Sequence, residues 1–169
     1  MLEVSGPVMS KALSHFARHF ISPTFMREWF PNTKQVATCS IGCDDIPSDT
    51  HDGCGFHGLW DISESKRYIH NLFGTSSCIV LVEITGKIKA GSLGARAKEA
   101  RVIAVIDYDP LPVIFPKAKN YPPENVPTLA KKHFKVPMLT SEDGQDLIVI
   151  QNTANGINMI YNGMWYANA

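Results

Sequence analysis

The apolar positions of this chain change their period several times, and each change marks an element. Behind a cap at Asp61 or Ser63, with Asp61 and Glu64 at the spacing of a capping box, Tyr68, Ile69, Leu72 and Phe73 recur at helical intervals until Gly74 stops them. Residues 78–91, CIVLVEITGKIKAG, open with an unbroken apolar run that reads as a buried strand, followed by a turn at Thr85–Gly86 and a short edge. Residues 95–108, ARAKEARVIAVIDY, end as a second β-rich run, and the two are expected to pair as a central hairpin. Six prolines in residues 109–127 exclude a regular element there. TLAKKHF, residues 128–134, predicts a short amphipathic helix. DLIVIQ (146–151) and INMIYNG (157–163) read as two strands joined by a turn. Residues 31–55, rich in Asp, Ser, Thr, Gly and Pro, read as loop. The expected class is α+β, predominantly non-helical, with two or three short helices in a single domain over residues 1–169 and no internal repeat.

Composition narrows the function classes. With 44% hydrophobic and 19% charged residues, the chain can bury its own core. Sixteen basic residues balance sixteen acidic ones, so bulk charge does not drive nucleic-acid binding. No apolar run is long enough to span a bilayer, and the first residues lack the basic-then-apolar layout of a secretory signal. A cytoplasmic setting is therefore expected, in which four cysteines are thiols or metal ligands rather than disulfides.

The chemistry concentrates in residues 39–57. Cys39, Cys43, His51, Cys54 and His57 fall within that stretch, and thiolate and imidazole are the usual zinc ligands. Cys39 and Cys43 have a Cys-x3-Cys spacing, and Cys54 and His57 a Cys-x2-His spacing, each of which lets two side chains converge on one ion. The expected ligands are Cys39, Cys43, His51 and Cys54, tying down a loop with little core of its own. Buried free cysteines with surface histidines are the plainer alternative. Cys78 opens an apolar strand and reads as core. Asp44, Asp45, Asp49 and Asp52 share the same loop, either as a divalent-cation site or as a solvated acidic face. Arg96, Lys98 and Arg101 are candidates for a phosphate contact or for an exposed strand face. The terminal MWYANA is a partner surface or a docked strand.

The stretch from Gly53 to Tyr68 also resembles the poly(ADP-ribose) polymerase type of ADP-ribosyltransferase. There a Gly-x-Gly strand with an apolar residue and a tyrosine leads into a Ser-x-Ser-x-x-Tyr helix. Gly53, Gly55 and Phe56 match the strand, His57 takes the place of its tyrosine, and Ser63, Ser65 and Tyr68 match the helix without a gap. The resemblance implies a split mixed or antiparallel sheet and NAD as substrate. It places Gly55, His57 and Tyr68 at the nicotinamide pocket, and Arg18 or His19 on the remainder of the dinucleotide. Asp146, on a late strand, takes the position of the family's ribose-holding glutamate. Aromatic walls and a carboxylate beside a developing oxocarbenium ion are the physical basis of that chemistry. The acceptor would be a macromolecule or a nucleotide.

A second resemblance covers more of the chain. WFPNTKQVATC, HDGCGFHG, ARAKEARVIAV and LAKKHFKVPML occur in the order of similar runs in a group of small uncharacterised bacterial and phage proteins. In that group a Cys-x-Cys-Gly-Ile-Tyr-Ala run stands where this chain has Asp52, Gly53 and Cys54, so Cys43 replaces the first cysteine as a ligand. The likeness implies that Cys39, His51 and Cys54 act together. The group has no established function to carry over. The rival to the enzyme is a non-catalytic, zinc-stabilised protein-binding module on the same scaffold, or a phage accessory or virion protein, found in a host cytoplasm or a virion.

Overall fold

The computed structural model describes residues 3–16, 18–22, 27–49, 53–70, 76–108, 125–157, 159–161 and 165–167. Its centre is the expected hairpin, β6 (Ser76–Ala90) against β7 (Gly94–Asp107), paired antiparallel. Both faces of β6 are covered. Cys78, Val80, Val82 and Ile84 join Trp29, Phe56 and Phe134 in one buried cluster, while Ile79 and Leu81 join Ile62, Ile103, Ile106 and Ile148 in another. Alternation between two cores explains the continuous apolar run, since each such side chain contributes roughly 1.5–3 kcal/mol when fully buried.

The remaining strands build on this ribbon. β1 (Val8–Phe16) pairs antiparallel with β6 and turns into β2 (His19–Ile21), which pairs with β3 (Glu28–Trp29). β4 (Gln35–Val36) and β5 (Phe56–Leu59) both lie antiparallel to β7. β5 also meets β1, at Ser10 opposite Leu59, so the pairings β1–β6–β7–β5–β1 run in a closed circuit. β8 (Met138–Thr140) adds a parallel strand to β7, giving an eight-stranded mixed sheet; β9 (Met159–Tyr161) and β10 (Trp165–Ala167) form a separate pair. With α1 (Ile62–His70), α2 (Val126–Phe134) and α3 (Ser141–Ala154), the class is α+β. No helix among the described residues is long and apolar enough to cross a membrane.

Two sequence expectations are corrected. The chain does not turn at Thr85–Gly86. β6 continues to Ala90, a register shift between Thr85 and Ile88 absorbs the irregularity, and the reversal falls at residues 91–93, where Gly91 N–H donates to the Gly94 carbonyl (2.8 Å). DLIVIQ is not a strand but the middle of α3. Thr140 caps that helix by accepting from the Asp143 N–H, and Glu142 and Asp143 occupy its first turn. Gly144, Ile148 and Asn152 are buried at four-residue spacing, whereas Ile150 is left exposed. The capped helix with one buried stripe outweighs the β preference of Ile-Val-Ile. The expected positions Leu72, Phe73 and Gly74, and most of the six-proline segment, lie outside the described residues.

Polar side chains lock the layers together. The buried Asn152 amide accepts from Val8 N–H (2.8 Å) and donates to Val8 C=O (3.1 Å), pairing with β1 as a strand would. Gln145 accepts from Ile62 N–H and donates to Trp60 C=O, joining α3 to the start of α1. Asp61 caps α1 through the Ser63 N–H (2.8 Å). Glu83, nearly buried, accepts from the Ser5 and Gly6 N–H groups and from Arg101. Burial alone would raise its carboxyl, but the Gly6 amide, the Arg101 guanidinium and the Ser5 amide outweigh this and hold it below the ordinary value. A depressed carboxylate stabilises the fold above its unfolded pKa of about 4.3 and loses that contribution as pH falls through the folded value. Glu83→Gln is expected to cost about 2 kcal/mol in urea unfolding at pH 7. The gap from the parent chain should narrow on acidification to about pH 3; an equal gap at both pH values overturns this account.

Candidate metal centre and adjoining cleft

Between β4 and β5, residues 37–49 and 53–55 form no regular element, and are held from outside. Lys87 pairs with Asp45 and Lys89 with Asp49, both reaching from β6. The Lys87 ammonium, hydrogen-bonded to Asp45, holds that carboxyl below its usual range. Arg96 donates to the carbonyls of Cys54 (3.2 Å) and Ser48 (3.3 Å). Asp45 and Asp49 are therefore engaged by lysines, and Arg96 clamps the loop. Arg101, engaged by Glu83, joins the middle of β7 to the middle of β6.

This anchoring brings three of the expected metal ligands together. The Sγ atoms of Cys39, Cys43 and Cys54 all lie within 4.8 Å of one another, close enough to hold a metal ion. Cys39 and Cys43 are half-buried and Cys54 is buried. Cys39 Sγ and Cys43 Sγ are 3.4 Å apart, and Cys54 Sγ accepts from the Ser48 N–H (3.0 Å). Thiolates at about 2.3 Å from a tetrahedral ion stand roughly 3.8 Å apart, so the set suits such an ion with little movement. The Cys43 thiol is pushed up, chiefly by its hydrogen bond with Cys39, then by burial and by the Cys39 charge. Crowded thiols hold their protons until a cation replaces them, so binding would release protons. The fourth expected ligand, His51, and Asp52 lie outside the described residues. Cys78 is remote core, with burial pushing its thiol up to about 12.

The cysteine-bearing loop forms one wall of a cleft of about 920 Å³. Gly55, His57 and Tyr68 all line it, as does Cys39. Gly55 has φ +97°, a conformation that a side chain would strain, and this turns the chain from Cys54 into β5. Gly58 then passes so near β1 that an added Cβ would meet Met9 Sδ at 2.5 Å and the Ser10 carbonyl at 2.7 Å. Tyr68 reaches the cleft from α1, while the neighbouring Ile69 packs into the second core.

The other expected residues stand elsewhere. Asp146 is exposed on α3 rather than on a late strand, and does not line the cleft. Arg18 and His19 are exposed at the turn between β1 and β2, where His19 contacts Glu28; neither lines the cleft.

The cations that line it are Lys11 and Arg27. Lys11 Nζ donates to the His57 carbonyl (2.7 Å) and lies 5.7 Å from the centre of the Trp29 ring. Burial lowers its ammonium to about 8. Arg27 donates to the Val36 carbonyl (2.5 Å) and to Thr38 Oγ1 (3.5 Å), and sits 5.0 Å from the centre of the Phe56 ring. Burial lowers it too. Neither has a carboxylate partner among the described residues, and no Asp or Glu is among those lining the cleft. The sequence signal that could have found Lys11 is a lysine set in the run Val8–Ser14, whose other residues are all buried.

Comparison with protein-family models, curated proteins and solved structures finds no match. The site's meaning therefore rests on its own geometry. In the native, metal-free chain, a thiol reagent is expected to modify Cys39 and Cys43 first, Cys54 more slowly, and Cys78 only on unfolding. Mass mapping of the labelled peptides checks the order, and native labelling of Cys78 contradicts it.

Proposed function

We propose that this chain is a zinc-stabilised binding domain whose cleft takes an anionic ligand with a flat ring, of the nucleotide class, NAD being the leading candidate. The observation that carries the reading is the pair of cleft cations, Lys11 and Arg27, which lack a carboxylate partner among the described residues of a chain whose formal net charge is zero. A desolvated cation facing a cavity attracts an anion far more strongly than a surface lysine does. The ring faces of His57 and Tyr68 on the same cleft suit a heterocycle. Zinc is the natural ion for the three thiols, with His51 as the fourth ligand. It would fix the loop that carries Cys39 against the cleft.

Binding without ADP-ribosyl transfer is the reading favoured. Transfer needs a carboxylate beside the ribose carbon that loses nicotinamide, and Asp146 is on the exposed side of α3. The position matched to the family's glutamate therefore supplies no support for the reaction.

Two measurements test the proposal. Metal analysis of the purified protein should find about one zinc per chain, with Cys39→Ser and Cys54→Ser each losing it; zinc near zero in the parent chain removes the metal half. Titration with NAD, ADP-ribose and ATP, followed by calorimetry, should show saturable binding that Lys11→Met and Arg27→Gln each weaken by about tenfold. The affinity should hold below pH 8 and fall as Lys11 loses its proton above it, a step absent in Lys11→Met. A folded, zinc-loaded chain that binds none of the three ligands overturns the ligand half.

A further inference from the structure

Lys11 has features that anion binding alone does not need. It stands on β1 between buried neighbours and lines the cleft. Its single hydrogen-bond acceptor among the described residues is the backbone carbonyl of His57. A carboxylate would hold the amine as an ammonium ion. A carbonyl is neutral and only accepts, so it binds an N–H in either protonation state and directs the remaining valences elsewhere. Lys87 and Lys89 differ, each facing an aspartate.

We infer that Lys11 is a nucleophilic amine that forms an imine with a carbonyl compound bearing an anionic group, which Arg27 holds on the same cleft. The inference rests on the cleft's reading as an anion site only for the role of Arg27. In the step itself, the lone pair of the neutral amine attacks the carbonyl carbon and a C–N bond forms. One amine proton passes to the carbonyl oxygen, giving a carbinolamine. That hydroxyl then leaves with the second amine proton as water, and a C=N bond remains. No oxidant or reductant is consumed.

The surroundings favour the neutral form that this step needs. With its ammonium lowered to about 8 by burial, roughly a tenth of Lys11 is neutral at pH 7, against less than a thousandth of a lysine near the usual value of about 10.4. The Trp29 ring and the His57 carbonyl confine the amine, so it is presented to the cleft rather than dispersed over solvent rotamers. Burial of the group beside the Trp29 ring also keeps the site partly desolvated, which slows return of the imine to free amine.

The experiment is reductive trapping. The zinc-loaded chain is incubated at pH 7 with glyoxylate, a small anionic aldehyde, or with propanal, its neutral counterpart, in the presence of cyanoborohydride. The sites are then mapped by peptide mass spectrometry. Lys11 should carry about ten times more adduct than Lys87, Lys89 or Lys131 at short times. Glyoxylate should label it faster than propanal. Arg27→Gln should remove that preference while propanal still labels Lys11. Lys11→Arg, shown to be folded by its zinc content and urea midpoint, should lose the adduct with both probes. Adducts spread evenly over the lysines, or none on Lys11 with either aldehyde, overturn the inference. Preferential Lys11 labelling at equal rates by both probes upholds the amine and instead counts against Arg27 as the anion's anchor.

Discussion

The architecture turns on the close passage of β5 past β1 at Gly58. A side chain there has no room beside Met9 and the Ser10 carbonyl, and this is the contact that closes the circuit of strands begun by the β6–β7 ribbon. Closure has local consequences on both sides. Upstream, it fixes where Cys54 and Gly55 leave the loop, and so where the three sulfurs meet. Downstream, it aims Leu59 and Trp60 into the start of α1, which carries Tyr68 back to the cleft. On the β1 side, it sets His57 C=O within reach of Lys11. Cysteine cluster, ring wall and cleft cation thus depend on one backbone contact.

Charge is distributed with a clear division of labour. Lys87, Lys89 and Arg96 hold the cysteine-bearing loop through carboxylates and carbonyls, and Arg101 braces the sheet through Glu83. These pairs are partly exposed and individually modest, but together they orient a segment with no ladder of its own. Lys11 and Arg27 are treated differently. Carbonyls and ring faces solvate them in part, so the charge is tolerated without being neutralised. A protein with equal numbers of acidic and basic residues can therefore still present a positive cleft.

Several features were legible because they are local. The irregular backbone of residues 37–49, the cap at Asp61, the buried strand from Cys78 and the pairing of residues 78–91 with 95–108 follow from composition, capping chemistry and apolar period, whereas the expected loop over 31–55 is interrupted by β4, which pairs with β7. Convergence of Cys39, Cys43 and Cys54 could be anticipated because thiols this close in sequence share a loop. The resemblance at Gly53–Tyr68 pointed to Gly55, His57 and Tyr68, which do line one cavity. It misplaced Asp146 because its alignment required a strand.

The sequence by itself determined the local elements: where α1 begins, which segment carries thiols close enough to hold a metal ion, and which apolar run from Cys78 is buried. Only the tertiary structure decided the rest. Leu147–Ile150 became a helix because a capped N-terminus and a stripe at Gly144, Ile148 and Asn152 could pack on the sheet, an outcome set by neighbours rather than by propensity. Lys11 and Arg27 became the cleft's cations for a similar reason. A basic residue gives no local sign of whether a carboxylate will face it, since its partner is chosen by elements far away in the chain.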